Sequence, residues 1–253
     1  MKKSAIKDAL IFIFWDTGWE SAPSVCKVCL AALKKFNPNS TIICLDNKSI
    51  ESYIPCFIRK YNWLFQGNLI IQHKTDLFRL ALLQKYGGIW IDSTVICTKA
   101  FESWLPNYSR RGFFVFPPSA KTKSYLCSNW FIYADPNHPI ISAWQEKLLS
   151  IFLSKSKDQT SINYFSMHIA FTTLMQDVSI RHLWDQNPKF CSRDPTIFID
   201  GNPTIAEIIE AAKDCPVFKL NHSNGYIKQD ILGSQALQSL LKTLKIMAWD
   251  VVE

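Results

Sequence analysis

The chain has 253 residues, of which 48% are hydrophobic, and it carries a formal net charge of +7. This length suits one large α/β domain with or without a helical appendage, and no stretch reaches the roughly 20 consecutive apolar residues of a membrane-spanning helix. The sequence has no basic segment interleaved with aromatic residues and no helix-turn-helix pattern, which argues against nucleic acid as a partner. The charge instead suits anionic substrates or an anionic membrane surface.

The amino-terminal part of the chain predicts a βαβ unit. An apolar strand over about 9–15 ends at Trp15, a helix follows over about 21–36, and a second strand over 41–45 ends at Asp46. Two strands joined by a helix within so short a segment run parallel to each other. We therefore expect the chain to begin a parallel sheet with a buried first strand.

The middle of the chain predicts a helix, a glycine turn and a short strand. Thr75 is expected to cap a helix over 76–86, Gly87 to end it in the left-handed conformation, and Ile89-Trp90-Ile91 to form a buried strand. Asp92 follows this strand directly. Because ligands of open α/β sheets bind beyond the carboxyl ends of the strands, Asp92 is the first candidate for a functional side chain.

The charged residues of this stretch each allow two interpretations. Asp76 and Arg79 are three residues apart on one helical face, so they either satisfy each other as an ion pair or face a ligand together. Asp92 either caps Ser93 and Thr94 in a turn or meets a charged substrate or a metal. Both interpretations stay open at the level of these residues.

Further strands and helices complete the α/β pattern. Strands are predicted at 113–116, 129–133 and 216–220, short helices within 50–72, and longer helices near 138–153, 161–176 and 204–213.

A last helix is predicted over 231–249, with leucines at i, i+3, i+4 and i+7 spacing: Leu237, Leu240, Leu241 and Leu244. We expect a main domain over 1–225 and a C-terminal amphipathic helix over 226–253. This helix either packs on the domain or rests on an anionic membrane surface.

The eight cysteines lack the spacing of a disulfide framework. Cys26-x-x-Cys29 lies on a predicted helix, and no second pair completes a zinc site. Buried thiols in a reducing cytoplasm account for this pattern, so a cytoplasmic location is expected.

A set of motifs in fixed order extends over most of the chain. They are Thr75-Asp76, Arg79, Tyr86-Gly87-Gly88 and Asp92, accompanied by WDTGWESAP at 15–23, CTKAFESWLP at 97–106, SNWFIYADPNHPIISAW at 128–144 and NYFSMHIAF at 163–171. This combination over residues 8–222 resembles the capsular polysaccharide synthesis glycosyltransferases. These are Asp-x-Asp-type sugar transferases related to initiating mannosyltransferases and to glucosylating bacterial toxins.

The resemblance implies a GT-A type nucleotide-sugar transferase fold, in which a Rossmann-like, mostly parallel central sheet is flanked by helices. It also implies transfer of a sugar from a nucleoside diphosphate donor, expected to be a UDP-hexose, with retention of configuration. The acceptor would be a hydroxyl of a growing capsular or lipopolysaccharide glycan or of a lipid-linked saccharide, at or near the inner membrane surface. Two alternatives stay open: a catalytically silent nucleotide-sugar-binding protein, and a glycoside hydrolase, which would need two opposed carboxylates.

The resemblance further assigns roles to individual residues. Asp76 and Arg79 would grip the donor sugar and ribose, and Asp92 would help offset charge on the leaving diphosphate, which makes these three the expected catalytic residues. The other expected donor-binding residues are Trp15, Thr17, Ser93, Thr94, Asn129, His168, Lys219 and His222.

Three of these assignments carry an alternative. Trp15 would stack on the base of the donor, or it is an ordinary core tryptophan. His168 either contacts the donor or is a core histidine. Lys219 and His222 compete for the position beside the diphosphate, where a cation would stabilise the departing charge.

Related transferases carry Asp-x-Asp at the strand end, where two carboxylates hold a divalent cation on the diphosphate. Here the segment is Asp92-Ser93-Thr94. A carboxylate and a hydroxyl form a poorer site for Mn²⁺ or Mg²⁺ than two carboxylates do. The sequence therefore leaves the need for a divalent cation in doubt. If one binds, Asp92 is expected to be its direct or water-mediated ligand.

Overall fold

A computed structural model describes residues 6, 8–67, 69–119, 123–157, 162–190, 194–200, 204–220, 238 and 241–245. The strands are β1 Ile11–Phe14, β2 Ile42–Leu45, β3 Gly88–Ile91, β4 Val95–Cys97, β5 Phe113–Val115, β6 Phe131–Ala134 and β7 Val217–Lys219. The helices are α1 Ser24–Phe36, α2 Ile50–Tyr53, α3 Pro55–Lys60, α4 Asn62–Phe65, α5 Ile71–Tyr86, α6 Phe101–Tyr108, α7 Pro139–Lys157, α8 Ser166–Leu174, α9 Val178–Asp185, α10 Ile197–Asp200 and α11 Ile205–Asp214. A short 3-10 helix spans Trp19–Ser21.

The central sheet has five strands in the order β2-β1-β3-β6-β5. β1 pairs in parallel with β2 and β3, and β6 runs antiparallel to both β3 and β5. Four of the five strands therefore point the same way. This confirms the predicted α/β fold with a mostly parallel sheet flanked by helices, and it agrees with a GT-A type fold.

Side chains alternate across the central strands, and this alternation sorts the core into two layers. Phe12, Trp90 and Ile132 point into the layer that holds α5, α7 and α8. Ile91 points into the opposite layer, which holds α6. Because Asp92 is two residues beyond Trp90, the same alternation turns its side chain toward the face covered by α5.

Helix α5 begins five residues earlier than predicted. It starts at Ile71, and Ile70, in an extended conformation, is its N-cap residue. Thr75 is therefore not the cap: its hydroxyl donates to the carbonyl oxygen of Ile71 inside the helix. Packing of the added turn, in which the His73 ring lies 5.3 Å from that of Phe152, outweighs the capping preference of threonine.

The earlier start also changes the position of Asp76. Asp76 lies beyond the first turn, so the favourable interaction with the helix dipole that a first-turn position predicts does not apply. Asp76 is instead buried in the body of the helix, together with the apolar side chains that surround α5 as predicted.

Two glycines connect α5 to β3. Gly87 and Gly88 have φ values of +64° and +96°, which L side chains rarely adopt. A Cβ atom on Gly88 would also collide with the backbone carbonyl of Leu10, which accepts a hydrogen bond from the Ile89 amide at 2.8 Å. The turn therefore needs glycine, and it fixes where β3 enters the sheet and where Asp92 leaves it.

A second, two-stranded sheet lies beyond the carboxyl end of β3. β4 and β7 pair antiparallel, with Val95 opposite Lys219. The amide of Leu220 donates to the carbonyl oxygen of Thr94 at 2.8 Å, which extends the pairing by one residue. This ladder brings the end of β7 next to the residues that follow β3.

Of the predicted C-terminal helix, only residues 238 and 241–245 are described. Leu241 is buried, and Leu244 packs beside it on a cluster that includes Phe218 and the inner face of α1. The division at residue 225 stays a prediction because most of 226–253 lies outside the described residues. Within the described parts of the chain, every helix is too short or too polar to span a bilayer.

Candidate functional site

Three charged side chains meet where β3 ends. Nη2 of Arg79 lies 3.2 Å from Oδ1 of Asp76 and 3.7 Å from Oδ1 of Asp92. The side chains of Asp76 and Arg79 are each only 6% exposed. The three predicted catalytic residues therefore share one location, and Arg79 lies between the two carboxylates.

Trp90, on β3, contacts both Asp92 and Arg79. Its indole Nε1 donates to Oδ1 of Asp92 at 3.1 Å, and the guanidinium of Arg79 lies 5.1 Å from the ring centroid. Trp90 is not among the predicted site residues, although a residue two positions before Asp92 on a strand must share its face. The strand alternation was the signal that could have identified it.

Asn129 connects α5 to the loop before β6. Its carbonyl oxygen accepts a hydrogen bond from Nη1 of Arg79 at 2.6 Å, and its side-chain amide donates to Asp76 at 3.4 Å. The same amide lies 3.5 Å from the sulfur of Met167, a residue that sequence analysis did not single out. Asn129 therefore helps to hold both members of the Asp76–Arg79 pair.

Lys219 reaches the site from β7. Its Nζ donates to Oδ2 of Asp92 at 3.0 Å and to the hydroxyl of Thr94 at 2.7 Å. The side chains of Lys219 and Asp92 are 16% and 24% exposed. Asp92 thus lies between two cations, and we refer to Asp76, Arg79, Asp92 and Lys219 as the charged cluster.

The two carboxylates of the charged cluster differ in acidity. Burial raises the pKa of Asp76 to about 7, with Asp92 adding to the effect and Arg79 opposing it. Burial also acts to raise the pKa of Asp92, but Lys219 and Arg79 outweigh it and leave that pKa below its ordinary value. Near neutral pH, Asp92 is therefore ionised while Asp76 is close to its titration midpoint.

His168 lies near the charged cluster in an aromatic environment. Its ring centroid is 5.2 Å from that of Tyr125 and 5.6 Å from that of Phe165. Burial lowers the pKa of His168 to about 4. The positive charge of Arg79 also lowers this pKa, and the negative charge of Asp92 acts to raise it. The ring is therefore neutral at pH 7, and its buried Nδ1 has no hydrogen-bond partner among the described residues.

Tyr164 is a neighbour that sequence analysis did not single out. Its side chain is among the large exposed ones, with the residue 58% exposed. Partial burial, followed by the charges of Asp92 and Asp76, raises the pKa of its phenol. The phenol is therefore close enough to the charged cluster to be affected by its carboxylates.

The remaining predicted residues are Trp15, Thr17, Ser93 and His222. Trp15 follows β1 and packs, partly buried, on the core cluster next to α1. Thr17 is exposed and shares a 2.8 Å hydrogen bond with Ser21. Ser93 forms a hydrogen bond with the thiol of Cys26. Burial raises the pKa of this thiol to about 11, although the bond to Ser93 acts to lower it. His222 lies outside the described residues, so its role stays a prediction.

Sugar transferases of the GT-A type often use a divalent cation, which makes the fit of such an ion a question for this site. Within the described ranges, no three His, Cys, Asp or Glu side chains are grouped so that they could hold a metal. Both oxygens of Asp92 already accept hydrogen bonds, and the hydroxyl of Thr94 accepts one from Lys219. This donor set does not fit a divalent cation, and the role of Asp92 as a metal ligand gains no support from it.

Comparisons with known proteins agree with the predicted family. The O-glycosyltransferase braB of Annulohypoxylon truncatum is 27% identical over 181 residues, which cover 64% of this chain and 41% of that protein. An uncharacterized glycosyltransferase of Acanthamoeba polyphaga mimivirus is 29% identical over 132 residues, covering 52% of this chain and 51% of that protein. The chain thus spans about half or less of the length of these relatives.

Among solved structures, the PaToxG glycosyltransferase aligns with a TM-score of 0.49 and 18% identity, over 69% of this chain and 73% of that one. The family model described as "Capsular polysaccharide synthesis protein" matches residues 1–231. Since this match includes nearly the whole chain, the protein belongs to the capsular polysaccharide synthesis family.

Proposed function

We propose that this chain is a glycosyltransferase that moves a hexose from a uridine diphosphate donor to a hydroxyl of a growing capsular or lipopolysaccharide glycan. The observation that carries this proposal is the charged cluster, with Arg79 within 4 Å of both Asp76 and Asp92 beyond the carboxyl end of β3. Family membership and the names of the relatives support the reaction class. The acceptor, its linkage to lipid and the inner membrane surface as the place of reaction are parts of this proposal.

The charges of the cluster suit such a donor. A diphosphate is anionic, and Arg79 and Lys219 supply two cations whose side chains are mostly shielded from water. Asp76 and Asn129 supply polar groups that can bond to sugar or ribose hydroxyls. In this arrangement Asp76 and Arg79 hold the sugar side of the donor, and Lys219 faces its phosphates.

The reaction breaks the bond between the anomeric carbon and the diphosphate oxygen and forms a bond from that carbon to the acceptor oxygen. Negative charge builds on the departing diphosphate, and Lys219 stabilises it at the moment of cleavage. The acceptor loses its proton to the leaving phosphate oxygen, which lies on the same face in a retaining transfer. His168, neutral at pH 7, brings no positive charge to the site and forms an uncharged part of its wall.

A glycoside hydrolase suits the geometry less well. Such an enzyme places two carboxylates on opposite sides of the scissile bond. Here Asp76 and Asp92 both lie within 4 Å of the guanidinium of Arg79, so each is paired with a cation instead of being placed as an unpaired acid or nucleophile. A catalytically silent binding protein differs from a transferase only in turnover of the donor, which an assay of UDP release measures.

The test is a thermal-shift screen of nucleoside diphosphates and their sugars, with and without Mn²⁺. A ligand that binds only the folded state stabilises it and so raises the melting temperature. At a ligand concentration 100 times the dissociation constant, the added stability is about 2.7 kcal/mol. We expect a uridine species to produce the shift in the wild type, and Arg79→Ala and Asp92→Ala to lose it.

Arg181→Ala and Asp185→Ala are the matched controls because they break a 2.8 Å ion pair on the exposed surface of α9. The ligand-induced shift, rather than the melting temperature itself, is compared, so that destabilisation by a buried substitution does not affect the outcome. Equal shifts in the wild type and in both site variants would contradict the proposal.

A further inference from the structure

The carboxylate of Asp92 has little room for an additional cation. Lys219 bonds to Oδ2 at 3.0 Å, Trp90 bonds to Oδ1 at 3.1 Å, and Arg79 lies 3.7 Å from the same Oδ1. A metal ion would compete with these donors for the carboxylate oxygens. The ammonium group of Lys219 is the donor that lies where such an ion would bind, because it also bonds to Thr94 at 2.7 Å.

The segment Asp92-Ser93-Thr94 places one oxygen of Asp92 and the hydroxyl of Thr94 next to this ammonium group. A divalent cation held by the carboxylate of Asp92 and the hydroxyl of Thr94 would lie between these oxygens. Nζ of Lys219 lies there instead, within hydrogen-bond distance of both. The positive charge that a metal would bring is therefore already present as part of the chain.

The backbone around Lys219 holds it in this position. Its amide donates to the carbonyl oxygen of Pro195 at 2.8 Å, and the amide of Leu220 donates to that of Thr94. β7 pairs with β4, and Leu220 and Phe218 on either side of Lys219 are buried. Lys219 is thus not a mobile surface lysine, and its ammonium group is held in place beside Asp92 and Thr94.

The balance of charge in the cluster points the same way. Two carboxylates face two cations, whereas a site built for a divalent cation carries an excess of carboxylate oxygens. Adding a doubly charged ion beside Lys219 and Arg79 would bring three cationic groups together around the two carboxyl groups of the cluster. An incoming diphosphate, in contrast, adds negative charge beside the ammonium group of Lys219.

We propose that Lys219 takes the place of a divalent cation, so that the chain binds a nucleoside diphosphate, and supports its departure, without a metal. This inference rests on the proposed function, because it concerns the same donor. Lys219 contacts the phosphates directly and is in this sense a catalytic residue.

The test is calorimetric titration of the full chain with UDP, and with GDP and CDP in parallel, in excess EDTA and in excess Mn²⁺. We expect the dissociation constant for the binding nucleotide to be the same in both conditions to within about twofold. Lys219→Met keeps most of the apolar stem and removes the charge, and it should weaken binding in EDTA by about 10- to 100-fold, which is the size of a lost charge-assisted hydrogen bond.

Lys213→Met is the matched control, since this lysine is exposed and pairs only with Glu210 among the described residues. It should bind the nucleotide as the wild type does. Melting temperatures of the ligand-free variants establish that Lys219→Met is folded. If it is not, Lys219→Gln, which removes the charge but keeps a polar end, replaces it and should weaken binding in EDTA to a similar extent.

The outcomes separate the two proposals. Binding that disappears in EDTA and returns with Mn²⁺ in the wild type would overturn the inference and leave the proposed function intact. Unchanged binding by the folded Lys219 variant would overturn it as well. If no nucleoside diphosphate bound in either condition, the proposed function itself would fail, and the inference with it.

Discussion

Asp76 and Asp92 contact the same guanidinium and yet have opposite pKa shifts. Asp76 is deeply buried and has Arg79 as its one cationic neighbour in the charged cluster, so burial dominates and its pKa rises to about 7. Asp92 has Lys219 in addition and accepts a bond from Trp90, so its pKa falls. At the level of single residues, the site thus contains one permanent anion and one carboxyl group that can exchange a proton near neutral pH.

The raised pKa of Asp76 makes stability depend on pH in a defined direction. Between the ordinary value of 3.8 and about 7, the folded chain holds a proton on Asp76 that the unfolded chain has lost. Because of this group, the free energy of unfolding increases as pH falls through that window and decreases as pH rises toward 7. Asp92 acts oppositely, and its contribution is lost only at more acidic pH.

We expect Asp76→Asn to flatten the pH dependence of the unfolding free energy between about pH 4 and 7, because asparagine cannot titrate. Urea unfolding at several pH values measures this. Asp185→Asn, which changes an exposed aspartate, should leave the slope of the wild type unchanged. A wild-type slope preserved in Asp76→Asn would show that other groups cause the pH dependence.

At the scale of elements, β3 positions the site through its alternation. Trp90 and Asp92 lie on the face covered by α5, and the Gly87–Gly88 turn fixes the register between that helix and the strand. The indole of Trp90 fills the space under Arg79 and bonds to Asp92, so that one strand side chain orients two members of the charged cluster.

Trp90→Phe tests this role. Phenylalanine keeps an aromatic ring but loses the Nε1 donor, so a buried bond to an ionised carboxylate disappears and the cation–π contact weakens. We expect a loss of about 1–3 kcal/mol in the unfolding free energy beyond the loss caused by Trp104→Phe, together with weaker nucleotide binding.

Trp104→Phe is a suitable reference because Trp104 is similarly buried, while its Nε1 has no hydrogen-bond partner among the described residues. Both substitutions remove the same volume from an apolar core. Urea unfolding of the two variants side by side gives the difference. Equal losses would mean that the bond from Trp90 to Asp92 contributes nothing measurable.

At the scale of the whole molecule, local patterns predict the α/β fold and the location of the Asp76–Arg79–Asp92 group. Hydrophobic periodicity and glycine positions define α5 and β3, and the direction of the strand places Asp92 at its carboxyl end. The start of α5 could not be predicted, since the cap preference of Thr75 competes with packing by residues distant in sequence. Helices α6, α9 and α10 and strand β4 were not predicted; α6 contains Pro106, which usually ends a helix pattern.

The contacts of Lys219 lie beyond local patterns for the same reason. It bonds to Asp92 across 127 positions of the chain, through a β4–β7 ladder that no periodicity in either segment specifies. Sequence analysis could name Lys219 as a candidate only from the family resemblance. The pairing of distant strands, which depends on the folded chain as a whole, decides that it meets Asp92 and Thr94.

Turnover of the full chain with a panel of UDP-hexoses tests the proposed transfer reaction. UDP release is followed by chromatography and the anomer of the freed or transferred sugar by proton NMR. We expect UDP release from at least one donor with retained configuration, lost in Asp92→Asn and preserved in Asp185→Asn. Turnover by Asp92→Asn at the wild-type rate would contradict it, and tight donor binding without any UDP release would mark the chain as a silent nucleotide-sugar-binding protein.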